Sequence, residues 1–379
     1  MVAIPNHHFF QWVNQLKDSG YEVHWFDITD GGPKASKIEW VTQIKGWKLK
    51  WDFPFRNTIK SKYPKLYNGI QKINENNVGK AFQKVIKAFQ PDIVHCFEMQ
   101  LSGFPILSIM SHTNIPLIYS SWGSDMFYFK EKGIATIKVN TFLKRADYLI
   151  TDCKRDHQIA LKNGFVGTFL GVFPGNGGIT VNTSNIKKYN DRKIILFKGY
   201  QFDVGEALQI VKAIELLDNT ILTSYSFEVY SADKQVVDYI KKSKILSQAN
   251  FKIHFREQHL ENKLLLDIMG KSILHIANNV SDGMPNSLLE AMAMGAFPIQ
   301  SNPGNATSEV ITNNINGFLI DNPLDVKHIA MHIKRALIND QLRQHAQDFN
   351  INYIQQNYNR ATLQPKIQTL YQNVYTEIK

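Results

Sequence analysis

Hydrophobic and polar positions along the chain return again and again to one arrangement: a short apolar run, a helical period, then another apolar run. Met1 to Ile4 reads as the end of a first strand, short against the usual ~5–6 residues. Phe9, Trp12, Val13 and Leu16 then recur at helical spacing until Gly20, and Tyr21 to Ile28 reads as a second strand. Strand, helix, strand at this spacing is a parallel α/β unit. The reading continues with a helix over Val78 to Phe89 and strands at Pro91 to Cys96, Pro116 to Ser121 and Ala146 to Thr151. Pro174 to Gly178 (PGNGG) punctuates the chain, the polar run Thr180 to Arg192 reads as a linker, and the series begins afresh. Its strands are Lys193 to Phe197, Phe251 to Phe255, Ile273 to Ala277, Phe297 to Ser301 and Phe318 to Ile320. Its helices are Ala207 to Leu217, Leu264 to Met269, Val326 to Leu337 and Thr362 to Ile378.

In the second series, Ser281 to Gln300 (SDGMPNSLLEAMAMGAFPIQ) holds the most chemistry. A Gly-Pro turn feeds a short helix. Pro285 suits the first turn, where its missing N–H has no partner to lose, and Gly295 suits a left-handed exit. Leu288, Leu289 and Met292 mark an apolar face, while Asn286, Ser287 and Glu290 share the other. Helical side chains lean toward the N-terminus, so Glu290 is expected to reach back toward the turn that holds Asp282 and Gly283. Free N–H groups at a helix start attract phosphate, and a carboxylate just beyond can accept hydrogen bonds from sugar hydroxyls. Together they would grip a nucleoside diphosphate at two ends. Taken alone, the pattern also fits a buried α/β unit with a surface acid.

A length of 379 residues exceeds one ordinary core and fits two domains. With 44% hydrophobic and 20% charged residues the composition is that of a soluble globular protein. Two cysteines, Cys96 and Cys153, give no disulfide framework and fit a reducing compartment. The start, MVAIPNHHFF, lacks a basic leader and a long apolar core, so no signal peptide is expected. The most apolar region, Leu101 to Trp122, is broken by Pro105, His112, Asn114 and Pro116 and is not expected to span a bilayer.

A net charge of +10 favours anionic partners without choosing among phosphorylated sugars, acidic glycans, anionic lipid and nucleic acid. Lys45 to Lys65 concentrates that charge: Lys45, Lys48, Lys50, Arg56, Lys60, Lys62 and Lys65 face only Asp52, with Trp47, Trp51, Phe53, Phe55 and Tyr63 interleaved. Such a stretch suits an anionic membrane surface, a polyanionic glycan, or a solvated loop whose rings pack on their own domain. Nucleic acid is not expected as a partner, since no RNA- or DNA-binding motif accompanies it.

The string from Asp282 to Gly295 resembles the donor-site signature of a large retaining family of nucleotide-sugar glycosyltransferases, family four or group one, which has the GT-B fold. There an acid, Gly-x-Pro and a Glu eight residues after the acid precede Ala-Met-Ala-x-Gly. Here Asp282, Gly283, Pro285, Glu290 and AMAMG stand in those places, with Asp282 where the first Glu is usual. The resemblance covers nearly the whole chain, strongest from Ile194 to Ile320 and weakest before Pro91. It implies an α/β fold of two Rossmann-like domains (GT-B) with an interdomain cleft. Residues 1–185 would be the acceptor-side domain, 186–355 the nucleotide-sugar-binding domain, and 356–379 a helix crossing back to the first. It further implies transfer of a sugar to a hydroxyl of a glycan or lipid-linked acceptor, with retention of anomeric configuration, in bacterial surface polysaccharide or glycolipid synthesis. The expected place is the cytoplasm, with Lys45 to Lys65 as a peripheral contact to the inner face of the cell membrane.

Carried onto this chain, the resemblance assigns donor binding to Gly283, Met284, Pro285, Asn286, Ser287 and Leu288, with Glu290 on the ribose hydroxyls and Lys198 on the diphosphate. The position where relatives often show Gly-Arg-Ala-Leu is Gly205-Glu206-Ala207-Leu208 here, so a cation is replaced by an acid, and Arg256 in HFREQH is the candidate substitute. On the acceptor side stand Asn6, His7 and His8 after the first strand, with Asn6 alternatively a helix cap. The family's Asp-Val-Val-His strand survives as Asp92 and His95, with Phe97 where a second His is common. His95 reads more readily as a satisfied core histidine, which leaves Glu98 facing the site. Trp122-Gly123-Ser124-Asp125 matches the family's Trp-Gly-x-Asp turn. Glu98, Asp125 and Asp282 are thus the catalytic candidates, with Asp125 also suited to fixing its turn. No covalent nucleophile and no Asp-x-Asp motif stand out, so neither a metal nor a cofactor is expected. The rivals are a nucleotide-sugar epimerase on the same fold and a non-catalytic glycan- or lipid-binding module.

Overall fold

The computed structural model describes residues 1–180, 182–258, 260–377 and 379. Val181 in the expected linker, His259 in HFREQH, Ile378 at the end of the expected last helix and the side chain of Asn57 lie outside the described residues. The chain forms two compact units. The first comprises Met1–Thr151, His157–Gly177 and Lys366–Lys379; the second comprises Asp152–Asp156 and Gly178–Pro365.

The first unit is built on a parallel sheet of β1 (Val2–Ala3), β2 (His24–Asp27), β3 (Thr42–Ile44), β4 (Val94–Phe97), β5 (Leu117–Ser120), β6 (Tyr148–Thr151) and β7 (Thr168–Val172), in the order β3-β2-β1-β4-β5-β6-β7. The second has β8 (Ile194–Lys198), β9 (Ser226–Ala232), β10 (Asn250–Phe255), β11 (Ser272–Ala277), β12 (Phe297–Ser301) and β13 (Phe318–Ile320), in the order β10-β9-β8-β11-β12-β13. Helices cover both faces of a parallel sheet, so its central strands are apolar throughout rather than alternating. Accordingly VHCF, LIYS and YLIT are buried at every residue, as are SILHIA and FPIQS. Phe26, Cys96, Leu117, Tyr119 and Leu149 centre one core; Ile195, Phe197, Phe227, Leu274, Ile276 and Ile299 centre the other.

In both sheets the strand order reverses once, between β1 and β4 and between β8 and β11. Open α/β sheets bind ligands beyond the carboxyl ends of the strands at such a reversal. One switch point therefore carries the segments after β1 and β4, with Asn6 to His8 and Glu98. The other carries those after β8 and β11, with Lys198 to Glu206 and Asn278 to Glu290.

One expectation changes, and one open alternative is decided for part of its length. Of Tyr21 to Ile28 only His24–Asp27 pairs as strand. Within the basic-aromatic stretch, Lys45 is turned into the fold, ion-paired to the buried carboxylate of Asp27 and lying 5.1 Å from the Trp25 ring. Trp47 stacks on Phe26 at 4.9 Å and donates its indole N–H to the Asp27 carbonyl. Its first residues therefore pack on their own unit.

Candidate functional site

In the second unit, the helix Asn286–Ala293 starts from Pro285 as its N-cap (φ −68°, ψ 119°), one place earlier than expected for a proline of the first turn. Gly295 leaves the helix at φ 72°, a left-handed exit that favours glycine. Leu288, Leu289 and Met292 are buried with Met284 and Ile179, so Met284 and Leu288 present backbone only. The Leu288 and Leu289 amides donate to the Pro285 carbonyl at 3.0 and 3.3 Å, the first bonds of the helix, with Asn286 and Ser287 in its opening turn. A Cβ at Gly283 would lie 2.0 Å from an Asp152 carboxylate oxygen, so a side chain there would have to displace Asp152.

Glu290 is nine-tenths buried and accepts a hydrogen bond from Asn262 Nδ2 at 2.9 Å, not from the Asp282–Gly283 turn. Burial pushes its carboxyl up from 4.5 to about 7, opposed by Asn262 and by the charges of Lys198 and Arg360. Asp282 folds onto its own loop, accepting from Asn279 Nδ2 at 2.9 Å and from the Gly283 amide at 3.0 Å. Burial raises its carboxyl too, against Lys198, the Gly283 amide, Arg155 and Asn279. Lys198 is the cation these acids share.

The structure also brings Lys198 and Arg256 to one ring. Lys198 Nζ lies 5.5 Å and the Arg256 guanidinium 4.7 Å from the centre of Tyr200. Arg256 is tied to Asp233 at 3.2 Å and reaches Phe202 at 5.6 Å. Glu206 anchors its loop through its backbone: its amide donates to the Asn278 carbonyl at 2.9 Å and its carbonyl accepts from Asn278 Nδ2 at 3.3 Å. The guanidinium of Arg256, just beyond β10, thus shares the Tyr200 ring with Lys198 while it is ion-paired to Asp233.

In the first unit, the Asn6 side chain caps the helix His7–Val13 by accepting from the Phe9 amide at 2.8 Å. His7 lies 3.4 Å from the Gln11 side chain, and the His8 ring meets Trp122 edge-on at 6.1 Å. His95 is a satisfied core residue: Nδ1 faces the Tyr371 hydroxyl at 2.6 Å, Nε2 faces Ser120 at 2.8 Å, and burial holds its pKa well below the ordinary value. Glu98 has a positive φ of 68°, rare for a side chain of this kind, and its carboxylate caps the turn Met99–Gly103 through the Leu101 amide. Burial and then the Asp125 charge raise it to about 8. Asp125 is held on three sides, by the Met99 amide (2.8 Å), the Tyr119 hydroxyl (2.6 Å) and the Trp122 amide (2.9 Å). This is the turn-fixing role. Gly123, at φ 86°, makes that turn possible. The Trp122 indole N–H is buried with no acceptor among the described residues.

Several neighbours of these residues escape a reading of the sequence. Asn262, Arg360 and Tyr230, whose hydroxyl bonds Ser287, surround Glu290 from distant segments. Asp152, Cys153 and Asp156 gather their ligand atoms within 4.8 Å of one another. Arg155 already neutralises Asp156 at 2.7 Å, and burial with Asp152 and Asp156 nearby keeps the Cys153 thiol protonated. Chemically, the second unit offers a carboxylate near its threshold at neutral pH, two cations on a tyrosine and the start of a helix. That set suits a polyol joined to a diphosphate.

Residues 180–352 match the family model for glycosyl transferases group 1, and residues 76–153 match a glycosyl transferase 4-like model. No curated protein matches the sequence. Among solved structures, the chain resembles a sucrose-phosphate synthase from Thermosynechococcus elongatus at 13% identity, over 99% of each chain, with a TM-score of 0.73. It resembles the lipopolysaccharide outer core galactosyltransferase WaaB at 12% identity, over 98% of each chain, with a TM-score of 0.67. A pneumococcal O-GlcNAc transferase, solved with UDP and GlcNAc, shares 13% identity over 79% of this chain and 60% of that one, with a TM-score of 0.59. At these identities the likeness is one of fold.

Proposed function

Since the chain belongs to the group 1 glycosyl transferases, we propose that its second unit holds a nucleotide-sugar and that its first unit binds a glycan or lipid-linked acceptor, a hydroxyl of which receives the sugar. The chain is a glycosyltransferase of the GT-B fold. The observation that carries the proposal is the meeting of Glu290, Lys198 and the start of the helix Asn286–Ala293 at the β8/β11 switch point. Ionised Glu290 accepts the ribose hydroxyls. Lys198, Arg256 and the amides of Asn286 and Ser287 take up the charge that develops on the departing diphosphate, which is the main catalytic term. Asp282 stands beside the donor sugar, and Gly283 leaves room for the backbone to approach. In the first unit, Glu98 titrates near neutrality and can accept the proton of the attacking hydroxyl, with His8, Trp122 and the Asp125 turn as acceptor walls. The sugar keeps its anomeric configuration, and neither metal nor cofactor is required.

Among the described residues no helix is long and apolar enough to cross a membrane. A surface polysaccharide or glycolipid as product, made on the cytoplasmic side of the cell membrane, is supported by the net charge of +10 and by the likeness to a lipopolysaccharide transferase. The test is a panel of UDP-, GDP- and ADP-sugars with candidate acceptors, reading free nucleoside diphosphate. Release that depends on acceptor is expected. Conversion of donor alone would favour the epimerase, and stabilisation by glycan but by no nucleotide would favour a binding module.

A further inference from the structure

Residues 50–74 stand off the first unit as an arm. Two helices, Arg56–Lys62 and Pro64–Asn74, follow one another around Tyr63. The base is clasped: Leu49 bridges antiparallel to Glu75, the Lys50 amide donates to the Asn74 carbonyl at 2.9 Å, and the Asn74 side chain bonds the Trp51 amide at 3.0 Å and its carbonyl at 2.9 Å. Beyond the clasp little is covered. Among the described residues of the two helices only Gln71 and Asn74 are buried, and no apolar side chain of the arm joins the main core of its unit.

The arm's apolar residues face outward instead: Phe55 is 78% exposed, Ile73 67%, Tyr63 61%, Leu66 56% and Trp51 47%. Leu66, Ile70 and Ile73 fall at spacings of four and three, a single stripe along the second helix, with Tyr63 at its N-cap. Helices this short are marginal in water without a packed face, and a contiguous exposed apolar patch marks an interaction site. Charge decides the partner. Lys60 and Lys62 on the first helix and Lys65 and Lys72 on the second are exposed, while the ion pairs recorded nearby use only Arg56 with Asp52 and Lys48 with Glu75.

We propose that this arm docks the protein on an anionic lipid bilayer, laying Tyr63, Leu66, Ile70 and Ile73 at the acyl boundary and its lysines among the headgroups. Aromatic rings and lysine stems suit that boundary, and an amphipathic helix with cations on its polar face lies in the plane of the interface. The inference rests on the transferase reading only for the choice of the cytoplasmic leaflet.

The test is sedimentation of the full chain with vesicles of phosphatidylcholine alone or of phosphatidylcholine with phosphatidylglycerol. Binding to the anionic vesicles alone is expected. Each neutralised lysine near such a surface removes ~1 kcal/mol of attraction, so Lys62→Gln with Lys65→Gln should weaken binding about 30-fold at low salt. Leu66→Ser with Ile73→Ser should weaken it by more than about tenfold, and should do so at high salt too. Far-UV circular dichroism of both variants should match the parent. A parent that ignores anionic vesicles, or variants that bind like the parent, would overturn the proposal. So would retention on dextran sulfate with no vesicle binding, which assigns the arm to a polyanionic glycan. A nucleoside diphosphate thermal shift on the same samples separates the claims: shift without vesicle binding defeats the arm alone, and vesicle binding without shift defeats the donor site alone.

Discussion

Replacing Glu290 by Gln keeps its shape and an oxygen to face Asn262, and removes only the charge. Two effects of opposite sign follow. In the folded chain the carboxyl titrates at about 7 rather than 4.5, because burial disfavours its charged form. The folded state then keeps a proton that the unfolded chain releases, so stability is fully present below pH 4.5 and is lost as pH rises through 7. At about 1.4 kcal/mol per pH unit, a shift from 4.5 to about 7 makes the loss above that range at most about 3.5 kcal/mol. Glu290→Gln should therefore match the parent in acid and exceed it in stability above pH 7. Binding moves the other way. A hydrogen bond to a charged acceptor contributes ~1.5–3 kcal/mol, so the variant should bind the preferred nucleoside diphosphate roughly 10–150-fold more weakly. Urea unfolding on both sides of the titration, with calorimetric titration of UDP, GDP and ADP, reads both effects. A variant that binds nucleotide like the parent, or that is less stable at alkaline pH, would make Glu290 a structural anchor for Asn262 and refute the assignment.

The remaining predictions concern its neighbours. Gly283→Ala should cost about 1–3 kcal/mol in urea unfolding, because its Cβ meets the Asp152 carboxylate at 2.0 Å; adding Asp152→Ala should recover part of that loss. Glu98, raised to about 8 by burial and Asp125, contributes stability that is present below pH 4.5 and lost as pH rises through 8. Glu98→Gln should flatten that slope in urea unfolding, and should lower turnover about 10²-fold if Glu98 takes the acceptor's proton. Turnover should be undiminished in chelator, since Lys198 and Arg256 are proposed to carry the diphosphate charge.

The fold was legible where apolar period and punctuation agree. The helix Val78–Phe89 and the strands β12 and β13 fall on the expected residues, each framed by Gly, Pro or Asn. β9 was not seen, because Glu228 interrupts SFEVYSA; in three dimensions that acid meets His254 on the neighbouring strand at 3.1 Å. The helix Asp340–Asn357 is too polar to announce itself. At the site, the local string gave Glu290, Gly283 and the helix start, but not what holds them. Asn262, Tyr230, Arg360 and Asp152 come from segments with no pattern linking them to residue 290 or 283. The charge of Lys45 to Lys65 was visible as a count. Only packing shows that Lys45 belongs to Asp27 while Lys62 and Lys65 face outward.

Whether the Glu290 carboxylate grips the ribose of a bound donor is best tested by a thermodynamic cycle with UDP (or whichever diphosphate stabilises the parent most) and its 2′,3′-dideoxy analogue. Loss of the hydroxyls should weaken binding to the parent roughly 10–150-fold and should have little further effect on Glu290→Gln. Equal losses in parent and variant would contradict the account.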